Sequence, residues 1–275
     1  MSHCRLTCDT CGDRSPTISP FRLVIKQLPI APQEPASAAF VSEAKTTDAP
    51  STFLPLGVAV PLPEVNPAPN LASTSHAYLR LIPSNVGVTL RNAKSALDLI
   101  RQGNLQPMSD SPGAGSSNRN QFGAVIYERP NHNVTCLTQL FLTGEIWGIE
   151  GEHLAPERLK AHAGTEFPFF PCTWLERLFV TTLRGYVAFS RKVLKATGPL
   201  KVRAGFANVY GYRMTSPHGM RFGGIKEFAG SMINNDFAWE DIVDADVPAA
   251  QILRPFFEEL WEECGLTRPD QEPPF

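Results

Sequence analysis

The sequence predicts an α/β domain of the α+β kind: an antiparallel or mixed sheet covered by one long helix and a C-terminal helix, behind a disordered, proline-rich N-terminal arm. Three observations carry this expectation. Residues 121–150 hold closely spaced apolar runs divided by Thr143-Gly144, the pattern of neighbouring strands joined by tight turns. Residues 174–196 and 248–264 repeat apolar side chains at helical spacing. Between Pro29 and Ser75 there are nine prolines among small and polar residues, a composition that resists helix and sheet and buries little apolar surface. The chain of 275 residues thus divides into a flexible arm over 1–75, a single α/β domain over 76–266, and a disordered tail over 267–275.

Taken in order, Tyr78-Leu79-Arg80-Leu81-Ile82 reads as a short strand stopped by Pro83. A helix follows at about 90–102, with Leu90, Ala93, Ala96 or Leu97, and Ile100 in phase and Gly103 ending it. The Gly, Ser and Asn content of 109–120 predicts an exposed loop. Three strands come next, 122–128, 134–142 and 145–150, as a meander. After a polar connection the long helix 174–196 begins at a capping box of Thr173 and Glu176. Its stripe is Leu175, Leu178, Phe179, Leu183, Tyr186, Val187 and Leu194, and Lys192, Lys195, Gly198 and Pro199 close it. Residues 200–214 read as a strand bent near Tyr210-Gly211-Tyr212. The last helix, 248–264, turns Ile252, Leu253, Phe256, Phe257, Leu260 and Trp261 inward and Glu258, Glu259, Glu262 and Glu263 outward. Pro255 kinks it and Gly265 stops it.

Hydrophobic residues make up 43% of the chain, enough for a sizeable core. The apolar runs are all broken before the roughly 18 residues that span a bilayer. Residues 1–20 carry charges and cysteines where a secretory leader needs an apolar run, so the expected compartment is the cytoplasm and Asn133-Val134-Thr135 is not read as a glycosylation site. The net charge of −2 conceals an asymmetry, because residues 240–275 hold ten acidic and two basic side chains. The remainder is left with 23 basic against 17 acidic, a surplus that permits weak nucleic-acid contact but reads first as ordinary solvated charge.

Cys4, Cys8 and Cys11, preceded by His3, form a C-x3-C-x2-C run that suits an iron–sulfur cluster or part of a zinc site. Its place at the very start of the arm favours an incidental grouping. Cys136, Cys172 and Cys264 stand alone in apolar surroundings and are expected to be buried thiols. Gly223-Gly224-Ile225-Lys226 lacks the spacing of a phosphate-binding loop. There is no nucleophile elbow or zinc-binding helix motif, and His132, His153, His162 and His218 are scattered through loops. No catalytic, cofactor-binding or metal-ligating residue is therefore assigned, and no cofactor is expected.

Four strings in order carry a family resemblance. They are Tyr78 to Pro83, then Thr138-Gln139-Leu140-Phe141-Leu142-Thr143-Gly144-Glu145-Ile146-Trp147, then Gly205-Phe206-Ala207-Asn208-Val209-Tyr210-Gly211-Tyr212, and finally Ile252 through Gly265. Together they resemble the C-terminal, accessory half of bacterial Schlafen/AlbA-like proteins described as DNA-binding or ATP-binding. The likeness covers about 76–266, without the AlbA-like domain itself, and after Gly265 the ending Arg268-Pro269-Asp270 departs from the family's. The resemblance implies a non-catalytic regulatory, assembly or partner-binding domain with a protein partner or self-association, and the broken apolar runs leave no membrane among the expected partners. A nucleic-acid surface formed by Arg184, Arg191, Lys192, Lys195, Lys201 and Arg203 is the alternative, and a metal enzyme built on the cysteine run the third.

Overall fold

The computed structural model describes residues 75–109, 115–128, 134–215, 220–221, 224–225 and 228–269. The arm, with His3, Cys4, Cys8 and Cys11, lies outside the described residues, as do His132, His218, Gly223 and Lys226. The strands are β1 His76–Asn85, β2 Ser116–Asn120, β3 Gly123–Glu128, β4 Cys136–Phe141, β5 Ile146–Glu150, β6 Phe169–Phe170, β7 Thr197–Ala207, β8 Arg213–Thr215, β9 Met220–Arg221, β10 Gly224–Ile225, β11 Phe228–Ala229 and β12 Phe237–Val243. The helices are α1 Ala93–Gly103, α2 Pro156–Ala163, α3 Cys172–Lys192, α4 Ala249–Ile252 and α5 Arg254–Glu263.

Seven strands form one sheet in the order β12-β7-β1-β5-β4-β3-β2, antiparallel throughout. The predicted meander is its right half. Gly144 adopts φ +86° in the β4–β5 turn, a conformation that only glycine takes without strain. Because side chains alternate along a strand, Leu79, Leu81, Ala204, Phe206, Phe237 and Trp239 fall on one face. There they join Leu178, Phe179, Leu183, Phe256 and Phe257 in the main core. α3 lies over β1, α1 over β2 and β3, and α5 over β12. Phe206 is the hub: its ring lies 5.5 Å from Phe179 and 5.8 Å from Phe256.

Several expected boundaries are corrected by the structure. β1 does not stop at Pro83 but runs to Asn85, since its ladder with β5 ends at Leu81 and a proline without an N–H is tolerated where one neighbour remains. Ser116–Asn120, expected as loop, is an edge strand paired along its length with β3, so pairing overrides weak strand propensity. α3 begins at Cys172 after Pro171 with no side-chain cap, so Thr173 and Glu176 form no capping box; Glu176 instead pairs with Arg268. The helix gives way after Lys192, and Leu194 is buried beyond it. The strand expected over 200–214 is two, β7 and β8, in different sheets and separated by a turn at 208–212. The last helix is broken at Leu253, one residue before the Arg254-Pro255 start of α5. Arg268, in the stretch expected as a free tail, donates to both carboxylate oxygens of Glu176 at 3.1 and 2.9 Å.

Candidate functional site

On the sheet face opposite the helices, one row of side chains crosses every strand: Asn118, Val125, Gln139, Trp147, Arg80, Arg203 and Glu240, each paired in register with the next. The polar members are joined in three clusters. At the centre, Glu145 at the β4–β5 turn accepts hydrogen bonds from Arg80 Nε and Trp147 Nε1, and the guanidinium of Arg80 lies 4.5 Å from the centre of the Trp147 ring. All three are buried. Burial and the nearby Arg203 push Arg80 down to about 10, which leaves it charged at neutral pH. Beside them Asn120 Nδ2 donates to Gln139 Oε1 at 2.6 Å. On the left, Lys201 and Arg203 both bind Glu240, whose carboxyl is held below its ordinary value first by the Lys201 hydrogen bond.

The six basic residues expected as phosphate contacts are thus not one patch. Lys201 and Arg203 lie on β7 and share the single carboxylate of Glu240, which offsets one of their two charges. Arg191 on α3 donates to the backbone oxygens of Ala196 and Gly198, which closes the α3–β7 connection. Arg184, Lys192 and Lys195 remain exposed along and just past α3, and Arg177 two turns before Arg184 joins them. No acidic side chain is exposed on α3, because its one carboxylate, Glu176, is buried against Arg268.

A pairing that the sequence reading passed over is that of Glu150 and His153. Glu150 Oε1 accepts from the backbone N–H of His153 and meets its Nδ1, both at 2.9 Å, while the imidazole stacks on Trp174 at 4.3 Å. The signal was a carboxylate three residues before a histidine at the end of a strand. A carboxylate so placed orients an imidazole, but it supplies one part of a catalytic set and not the whole. His162 is exposed on α2. Cys136 and Cys264 are buried as expected, and Cys172 is partly so. Burial pushes the Cys172 thiol up to about 12 and the Cys264 thiol to about 11, and moves Cys136 in the same direction. Among the described residues no group of three or more His, Cys, Asp or Glu is placed to hold a metal ion, and no helix is long and apolar enough to cross a membrane.

The opposite ends of the sheet are edges. β12 pairs only with β7 among the described residues, and Ile242 on it is 67% exposed. Ile242 and Val243 line a cleft of about 440 Å³ with Arg191, Gly198, Pro199, Asp244 and Asp246. No family model, curated protein or solved structure matches the chain.

Proposed function

We propose that residues 76–266 act as a non-catalytic assembly or partner-binding domain, related to the accessory half of Schlafen/AlbA-like proteins, with the β12 edge as its contact surface. The observation that carries this reading is the outer edge of β12, which no strand among the described residues covers and which carries a large exposed aliphatic side chain beside an acidic cleft. An extended segment from a partner or a second copy can add to such an edge through main-chain hydrogen bonds, with Ile242 and the cleft selecting an apolar side chain and a basic one. Charge placed on an edge strand is the usual guard against this pairing. Ile242→Lys is therefore expected to abolish association while leaving the fold unchanged, as read by sedimentation velocity over a hundredfold concentration range and by circular dichroism. A wild-type chain that stays monomeric and binds no basic-apolar peptide at the edge overturns the reading.

The second reading, nucleic-acid binding, is favoured by the exposed face of α3 and not by the sheet. Arg177, Arg184, Lys192 and Lys195 lie along it without an exposed acidic neighbour on the helix. Binding through four such contacts weakens with log salt at a slope of about −3 to −4. Charge reversal at Arg184 and Lys192 is expected to remove it, whereas Lys201→Glu is not; unchanged binding in the α3 variant excludes this surface.

A further inference from the structure

Two hydrogen bonds show which main-chain groups of β12 face outward. The N–H of Ile242 donates to the neighbouring carboxylate, Asp241 Oδ1, at 2.7 Å, so it takes no part in the ladder to β7. The carbonyl of Phe237 points the other way, over Gly205 of β7, where Tyr78 Oη on β1 donates to it at 3.4 Å. In an antiparallel ladder this direction alternates from residue to residue. Phe237, Trp239, Asp241 and Val243 therefore address β7, and Ala238, Glu240 and Ile242 address whatever lies beyond the edge. The side chains of those three are exposed, as is that of Asp241. The arrangement is symmetric: Glu240 is the middle of the seven-residue strand, with Ala238 and Ile242 two residues to either side.

Resting on the edge reading given above, we propose that the partner of β12 is a second copy of this chain, its own β12 laid antiparallel to the first across a twofold axis at Glu240. This is the register that overlaps all seven residues and sets outward groups against outward groups. Glu240 pairs with its own copy, each Ala238 pairs with the partner's Ile242, and every such pair exchanges two main-chain hydrogen bonds. The contact is isologous, so it closes at two copies. Ile242, 67% exposed, is covered by a residue small enough to admit it. On the helix face the same register sets Val243 against the partner's Phe237, a second apolar pair on each side of the axis. At the axis two carboxylates meet, and like charges directly opposite each other oppose pairing. Here each Glu240 already holds Lys201 on one oxygen and Arg203 on the other, so cations flank both anions. Asp241 supplies the restraint. Its carboxylate occupies the Ile242 N–H that the partner's Ala238 carbonyl would take, and charge on an edge strand guards it against indiscriminate addition. One strand pair is a small contact, below the about 1,200 Å² of stable interfaces, so the dimer is weak and depends on concentration.

The test introduces a single thiol into the full-length chain. In Glu240→Cys the two new side chains face each other across the axis with Cα atoms about 5.5 Å apart, whereas in Ala238→Cys they stand four residues apart along the paired strands, about 14 Å. Under oxidised glutathione, Glu240→Cys is expected to form a 240–240 disulfide dimer at least tenfold faster than Ala238→Cys forms a 238–238 one, with peptide mapping to separate these from links through the native cysteines. Sedimentation velocity gives the second readout: Asp241→Ala, which releases the Ile242 N–H, should tighten association at least fivefold. Equal or absent cross-linking in the two thiol variants overturns the twofold register. Unchanged or weaker association of Asp241→Ala overturns it independently, so the test does not hang on the loss of the Glu240 carboxylate. These failures are distinguishable from failure of the edge reading. A chain that associates, and stops associating in Ile242→Lys, yet fails both tests keeps β12 as contact surface without the twofold pairing. A monomer that takes a basic-apolar peptide on β12 does the same, and a monomer that binds nothing there removes both.

Discussion

Glu145 holds two buried donors at once, which makes it the most exacting single residue among those described. Removing it breaks a buried ion pair and takes the shared carboxylate from the guanidinium and the indole N–H, at a cost of about 3–5 kcal/mol. Glu145→Ala should therefore lower the urea midpoint sharply. Replacing both charged partners, as in Arg80→Met with Glu145→Leu, should restore most of the loss, because a pair of apolar side chains carries no desolvation cost. A double variant no more stable than Glu145→Ala would disprove this account. The sequence showed Arg80 in an apolar strand and Glu145 after a turn, but not that they meet, since their 65-residue separation is closed only by the β1–β5 pairing. The thiols were more legible. An isolated cysteine among apolar neighbours is buried wherever the core forms, and the raised Cys172 and Cys264 predict alkylation at pH 8 at least tenfold slower than in the urea-unfolded chain. Peptide mass spectrometry after a timed iodoacetamide pulse reads each site separately, and fast labelling of Cys264 in the native protein would contradict its burial.

Among the elements, α3 carries most of the weight. Phe179 touches Phe206, Phe256 and Phe257, and Leu178 and Leu183 are wholly buried on either side of it. Phe179→Ala should cost about 3–5 kcal/mol through lost packing and a residual cavity, as should Trp261→Ala on α5. Thermal unfolding checks both, and a loss under about 1 kcal/mol in either would mean that the site collapses freely. The N-terminus of α1 offers a smaller, cleaner test: Asn92 accepts from Ser95 N–H at 2.9 Å and Ser95 returns the bond, so Asn92→Ala should cost about 1 kcal/mol. Long amphipathic helices were legible because their period is local. The capping box assigned to α3 was not, because a Thr-x-x-Glu spacing says nothing of whether the carboxylate has a stronger partner, and Arg268, 92 residues away, is that partner. β12 escaped notice altogether although Phe237 and Trp239 alternate, since charges at Glu240 and Asp241 interrupt the pattern after two points.

At the scale of the whole molecule the sheet divides labour between its two faces: one is packed by α1, α3 and α5, and the other carries the polar row from Asn118 to Glu240. What the amino-acid sequence determined by itself is the set of local choices. It specified the α+β class, the β3–β4–β5 meander, the apolar stripe of α3 and the inward residues of the last helix, each set by periodicity or turn chemistry within a dozen residues. What only the tertiary structure decided is which strands neighbour which. The placing of β1 between β5 and β7, the conversion of 116–120 into an edge strand, the scattering of the six basic candidates over two faces and the meeting of Arg80, Glu145 and Trp147 all follow from that. The physical reason is that strand order depends on how distant segments share one core, a balance of burial against chain entropy that no local window of sequence contains.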